Sequence, residues 1–355
     1  MKTLKSVLSV VALLVYCSVL RAQTYQTYTN GGWIYTLSPN NEATITGYLG
    51  DGGAVEIPSL VGASAFLPNW LRGYKVTRIA AGLFGDKPVF YNREDIATVT
   101  IPNSVTNIGS GVFYTCRGLK TVIIPSSVEE IATSYSFGPG AFENCTSLTN
   151  VSISEGVAKI GNSAFAGCTQ LKQISIPSSV TSIGDQAFRD CLNLTSITIP
   201  DMVPSIRDGS FRGCASLTNV SFGAAVTVIG GDSFQGCISL TNLVIPDGVT
   251  KIRERAFKGC SSLKNVQFGS GVTLIAGGAF SDCLSLTYVA IPNNVTEIGL
   301  WVFSGCSGLV DAAIPARFIR PQRDFVLSYS PLTDIGFSES LARKLALRIA
   351  DGYSP

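Results

Sequence analysis

The sequence predicts an α/β-type solenoid. It is read as one right-handed array of about ten 23-residue units, with one parallel β-sheet and short helical or 3-10 turns on the other side. Three observations carry this. Cys145, Cys168, Cys191, Cys214, Cys237, Cys260, Cys283 and Cys306 stand 23 residues apart, with Cys116 another 29 before them. Phenylalanine keeps the same step at positions 84, 113, 142, 165, 188, 211, 234, 257, 280 and 303. Ile precedes that Phe by five residues in nine of the ten units, and Val precedes each Ile by three, from Val76 to Val295. No such unit can bury its apolar residues alone, so neighbours must stack and share a core. Eight units have 23 residues and two have 29. One extension is expected after Phe84, around Asp86 to Tyr91, and the other before Ala141, around Ala132 to Gly138.

The elements follow in order. Residues 1–22 read as a secretory signal peptide: two lysines lie within Met1 to Ser6, then an apolar run of eleven from Val7 to Cys17, then Leu20-Arg21-Ala22. Eleven residues are too few to span a bilayer, which takes about 20. No membrane insertion is expected once the leader is removed. Residues 23–75 read as a β-rich capping segment, with Tyr25, Tyr28, Trp33, Tyr35, Tyr48, Phe66, Trp70 and Tyr74 available to cover an exposed core end. The array occupies 76–317. In one unit, Leu171 to Ile176 ends in the alternation of a half-buried strand, and Pro177 stops it because proline donates nothing to a ladder. Val180 and Ile183 face inward through an irregular turn. Asp185 to Arg189 fits one helical or 3-10 turn, Phe188 is a buried wedge, and Cys191 and Leu194 close the circuit. Residues 318–355 read as a C-terminal cap, in which Ser338 starts a helix carrying Leu341, Leu345 and Ile349 on one face.

The pattern Leu171-x-x-Ile174-x-Ile176-Pro177-x-x-Val180-x-x-Ile183-x-x-x-Ala187-Phe188-x-x-Cys191 resembles the BspA-like, or treponemal-type, leucine-rich repeat. It recurs ten times over about 240 residues. Ser154, Gly223 and Gly269 depart from it by replacing the strand-ending proline, and the first unit lacks the cysteine. The resemblance implies a leucine-rich repeat fold in an exported bacterial protein, secreted or held at the cell surface. The family is associated with adhesion and with binding host or matrix proteins.

Composition narrows the chemistry. Histidine is 0, which removes histidine-based triads, general bases and zinc ligands. Charged residues are 14%. Three of the 26 basic residues (Lys2, Lys5, Arg21) lie in the leader, leaving 23 against 24 acids. Without a basic excess, nucleic acid is not an expected partner. The mature chain holds nine cysteines, an odd number that cannot pair completely. Their shared slot beside Phe suits buried free thiols rather than bridges or metal, and no cofactor or metal is expected. Asp185 and Asp208 are the carboxylates a hydrolase reading would use. Their spacing to Arg189 and Arg212, repeated by Glu254 and Lys258, reads more simply as helical surface pairs. The outward strand positions supply the candidate binding residues Lys172, Gln173, Ser196, Asn219, Asn242, Asn265 and Tyr288. The sequence thus points to an exported, non-catalytic, adhesion-type interaction protein with a protein or glycan partner. A secreted hydrolase (or its accessory domain) and a passive cell-envelope spacer are the alternatives.

Overall fold

The structure, a computed structural model, describes residues 27–40, 42–62, 73–80, 88–131, 138–318 and 330–350. The leader at 1–22, together with Tyr25, Phe66, Trp70 and Phe84, lies outside the described residues. The chain winds into the expected repeat solenoid, one circuit per unit. In Ser196–Thr198, Ile197 points into the core while Ser196 and Thr198 face outward, because successive strand side chains alternate between faces. Pro200 closes the strand, and Val203 and Ile206 turn back into the core.

The Val-x-x-Ile stretch is not an irregular turn but a second parallel ladder. Two-residue strands such as Val228–Ile229, Lys251–Ile252, Leu274–Ile275 and Glu297–Ile298 pair in register, Ile against Ile. Within the ladder the residue after the Ile donates its N–H one unit back, as Gly230 does to Ile206 at 2.9 Å. This ladder stops once, between Ser182–Ile183 and Ser205–Ile206. Thr181, Thr227, Thr250 and Thr273 each donate a backbone N–H to the preceding unit. Pro204 takes the same position and has no N–H to give.

The outer strand face is likewise divided rather than one continuous sheet. Ladders join Gly53–Glu56, Ile96–Thr100, Thr121–Ile124 and Asn150–Ile153, then Ser196–Thr198 with Asn219–Ser221, Asn242–Val244 with Asn265–Gln267, and Tyr288–Ala290 with Asp311–Ala313. Pairing ceases after each strand that lacks its terminal proline, at Ser154, Gly223 and Gly269. The stretch 171–176 carries no strand, although Thr195 N–H still reaches the Lys172 carbonyl at 3.1 Å. The two glycines show the cause. A Cβ at Gly223 or Gly269 would strike the carbonyl of Pro200 or Pro246, so these strands sit drawn toward the unit before them. Phe222 and Phe268, just ahead of the glycines, lie edge-on to Phe234 and Phe280 at 6.0 and 5.6 Å.

The turns opposite are not helical. From Phe165 onward each bends through left-handed residues on both sides of the Phe: Gln186 (φ 56°) and Asp190 (φ 57°) flank Phe188, and Asp232 (φ 53°) and Gly236 (φ 75°) flank Phe234. Helical segments among the described residues are the 3-10 turn Ala316–Phe318 and the helices Ser330–Asp334 and Glu339–Ala350.

Among the described residues ten buried phenylalanines form the spine, and its first ring is Phe90, where the sequence pattern predicts Phe84. Phe90 stacks on Phe113 at 4.9 Å with 6° between ring planes, and the column continues to Phe303. Both long units therefore carry their extra residues in the same place, between the buried Ile (Ile79, Ile131) and the column Phe (Phe90, Phe142). The expectation of two different insertion points is corrected accordingly.

Both ends of the column are covered. Glu42–Tyr48 pairs in parallel with Tyr74–Ile79 and extends the short ladder, while Trp33–Leu37 packs antiparallel on it. Trp33 and Tyr48 then cover Phe90 at 6.0 and 5.7 Å. At the far end Phe303 donates its N–H to the Ile335 carbonyl at 2.9 Å, and Phe337 stacks on Phe303 at 5.3 Å and 4°. The last unit is thus closed by an eleventh ring. Ser338 Oγ accepts the Leu341 N–H at 3.3 Å, starting the final helix, whose Leu341, Ala342 and Leu345 are buried. The side chain of Ile349 lies outside the described residues.

Candidate interaction surface

Gln173, Ser196, Asn219, Asn242, Asn265 and Tyr288 occupy one position of six successive units, and all are exposed on the strand face. Ser196 lies opposite Asn219, and Asn242 opposite Asn265. Lys172 is also exposed but sits in the adjacent row, ahead of Thr195 and Thr218. The two rows differ chemically. Thr195 and Thr218 spend their hydroxyls on carbonyls of the preceding unit, at 3.2 and 3.0 Å. The amide row is tied locally, by Asn265 Nδ2 donating to Asn242 Oδ1 at 2.9 Å and Asn242 Nδ2 to Thr241 Oγ1 at 3.2 Å. It presents neutral donors and acceptors at the spacing of strands, about 4.8 Å, with Tyr288 as its aromatic, 50% exposed.

The reactive groups lie elsewhere and are engaged. Each thiol from Cys116 to Cys306 donates to the carbonyl of the column Phe one unit back, for example Cys191 to Phe165 and Cys214 to Phe188, both at 3.2 Å. This explains why the slot holds Cys rather than Ala: a small apolar group is needed that also satisfies a buried carbonyl. Burial pushes the Cys116, Cys191 and Cys260 thiols up to about 12. The same cause lifts Cys145, Cys168, Cys214 and Cys237 well above the usual range. Among the described residues no cluster of three or more metal-ligating side chains occurs.

Asp185 and Asp208 do not form the expected helical pairs. The chain there is turned rather than helical, so a residue four positions on does not share the face. Instead Asp185 Oδ1 accepts the Asp208 N–H at 3.2 Å, and Asp208 Oδ1 accepts the Gly231 N–H at 2.7 Å. Asn162 does the same for Asp185 at 2.9 Å. These side chains cap the backbone of the following unit, a structural task. The ion pairs run between units or to near neighbours: Arg207 with Asp185 at 3.7 Å, Arg189 with Glu143 at 3.6 Å and with Asp190 at 3.4 Å, and Lys258 with Asp282 at 3.8 Å.

Two surface features were not anticipated. Leu192, Ile238 and Leu284 form an exposed aliphatic series that recurs every 46 residues, twice the repeat. Trp301 is 64% exposed and held at φ 57°, a position taken by Gly111, Gly209 and Gly278 in three other units and by Ser163, Gln186, Asp232 and Arg255 in four more. Counting two back from each Phe would have found it. A left-handed conformation costs an L-residue roughly 1–2 kcal/mol, partly offset by the roughly 0.4–1 kcal/mol of chain freedom that glycine adds to the unfolded state. Trp301→Gly is therefore expected to raise stability by about 0.5–1 kcal/mol, read from the urea midpoint. A fall would show that the indole packs more than its exposure suggests.

Among the described residues no helix is long and apolar enough to cross a membrane. No curated protein matches the chain. A leucine rich cell surface protein from Faecalibacterium prausnitzii is 25% identical, over 90% of this chain and 100% of its own, with a TM-score of 0.44. A leucine-rich repeat protein from Bacteroides ovatus is 24% identical over 81% and 88%, with a TM-score of 0.45. The leucine rich repeat protein of T. pallidum is 22% identical over 81% and 92%, with a TM-score of 0.40. The family model for the BspA type leucine rich repeat region matches in 6 copies, across residues 86–137, 135–242 and 227–344. With most of its length in that match and its columns in register, the chain belongs to the BspA-type leucine-rich repeat family.

Proposed function

We propose that this protein is exported through the signal peptide at 1–22 and acts as a non-catalytic binding protein, secreted or at the cell surface. Its partner is an extracellular or surface protein, or a glycan. The observation that carries this reading is the amide row from Gln173 to Tyr288: six equivalent side chains, all exposed, repeated along one face. A face of that kind meets a partner at many weak points, because it lacks the clustered Trp, Tyr and Arg of a concentrated hot spot. The nearly balanced charge of the mature chain gives no attraction to nucleic acid. Asp185 and Asp208, the carboxylates available to a hydrolase, are occupied as backbone caps.

Immobilised surface proteins and polysaccharides, probed with the mature protein, test the reading beside a panel of polysaccharide, ester and peptide hydrolysis assays. Turnover that is lost in Asp185→Asn or Asp208→Asn, with no stable partner captured, would decide for an enzyme. Deleting residues 192–237 removes two whole units and restores the alternation at the join. Affinity for a captured partner is expected to fall about three- to tenfold, or roughly 0.7–1.4 kcal/mol, with the fold intact by circular dichroism. Complete loss would place one dominant anchor inside 192–237 and overturn a distributed contact.

A further inference from the structure

The thiol ladder has one end unlike its interior. Cys116 through Cys283 are buried, whereas Cys306 is half-buried. In the interior each cysteine is followed by another one unit later. Past Cys306 the cap continues the aromatic column with Phe337, but the residue three after Phe337 is Ser340, exposed at the start of the last helix. Cys306 therefore has no further cysteine stacked on it, while its thiol still donates to the Phe280 carbonyl at 3.1 Å. Its other neighbour is the Cys283 thiol, one unit back in the ladder. The neighbouring Cys283 holds the Cys306 thiol below its usual value, and Cys306 together with burial raises Cys283. A thiolate is the reactive form of cysteine, and access decides which one reacts.

We propose that Cys306 and Cys283 are a thiol modification site at the C-terminal end of the ladder, which takes low-molecular-weight disulfides and closes to an intrachain bridge. The Cys306 thiolate attacks one sulfur of the small disulfide, expelling a small thiolate that takes a proton from water. A mixed disulfide is left on Cys306. Cys283 then gives up its proton to water, and its sulfur attacks the Cys306 sulfur, expelling the second small thiolate. Two protein thiols are oxidised to one disulfide while one small disulfide is reduced to two thiols. The unit step suits the product: the rings of Phe280 and Phe303, three residues before these cysteines, stack in register with centroids 5.9 Å apart, stacked strands lie about 4.8 Å apart, and bridged cysteines have Cα atoms about 4.4–6.8 Å apart. Cys116 to Cys260 have the same step but no open side, so no small disulfide reaches them in the folded chain.

Mass mapping of the full mature chain tests this. With iodoacetamide under native conditions, labelling is expected at Cys306 alone; after unfolding, every thiol is labelled. With glutathione disulfide, the peptides holding Cys283 and Cys306 are expected to join with loss of two hydrogens. Cys283→Ser should stop at the glutathione adduct on Cys306, and Cys306→Ser should lose both adduct and bridge. No native labelling of Cys306, or labelling spread evenly over Cys116 to Cys260, overturns the site without any variant being made. An adduct on Cys306 that never resolves in the parent protein overturns the part assigned to Cys283.

Discussion

Raising the pH from 9 toward 11 is expected to unfold the array, with stability falling by roughly 11 kcal/mol per pH unit. Burial lifts seven thiols, from Cys116 to Cys260, far above their ordinary value of 9.0, three of them to about 12. Cys283 is lifted by the neighbouring Cys306 and by burial, making eight. A group whose folded value is raised contributes stability in full below its unfolded value and loses it as the pH climbs toward the folded one. Above 9 the unfolded chain sheds protons that the folded chain retains, and deprotonation favours unfolding by about 1.4 kcal/mol per thiol per pH unit. Cys306 has the opposite sign and offsets a small part of this. Domains are commonly stable by about 5–15 kcal/mol, so the loss completes within one or two pH units. Urea unfolding at steps from pH 8 to 11 measures the slope. Replacing Cys191 and Cys260 by Ala should flatten it by about 3 kcal/mol per pH unit. An unchanged slope would place the alkaline sensitivity in other groups.

The columns were legible because stacking repeats each inward residue at a fixed interval, so Phe188 and Cys191 announce their own environment. What the period does not encode was harder to read. At the first unit two rulers disagreed: Phe84 stands five after Ile79, while Phe90 stands 23 before Phe113. The structure follows the second, because a ring must meet its neighbour's ring whatever the chain does between. The short ladder escaped notice because a two-residue strand has no alternation to show; only bonds to other units define it. The turns looked helical because Ser163, Gln186, Asp232 and Arg255 hold left-handed conformations that sequence reading reserves for glycine. The same error produced the pairing of Asp185 with Arg189. The Asp185 carboxylate instead meets the following unit, at the backbone N–H 23 residues on and at Arg207. The exposed amide row could be read from alternation, but the repeat specifies core residues and leaves the ligand unspoken.

Phe188→Ala is expected to cost about 3–5 kcal/mol, the largest effect of a single substitution in the array. The ring is fully buried, with Phe165 at 5.5 Å and 8° on one side and Phe211 at 5.4 Å and 3° on the other. A cavity in a compact core shrinks when its walls move inward. Here the walls are whole units, held at fixed separation by backbone bonds: Phe165 N–H to the Ala187 carbonyl and Phe188 N–H to the Ser210 carbonyl, both at 2.8 Å. Closing the gap would break these ladders, so the hole persists and both neighbouring rings lose a face. The damage also spans the middle of the column, where a solenoid depends on its nearest-neighbour contacts to unfold as one. Arg212→Ala, at the outward position next to the following ring, is the control. Arg212 is exposed and forms no ion pair with Asp208, and its loss should cost well under ~1 kcal/mol. Urea unfolding should separate the two variants clearly in midpoint. It should also give Phe188→Ala a broader or two-step transition, as the units before and after the hole begin to unfold apart. Equal midpoints for the two would refute the assignment of the Phe column as the element that holds the array together.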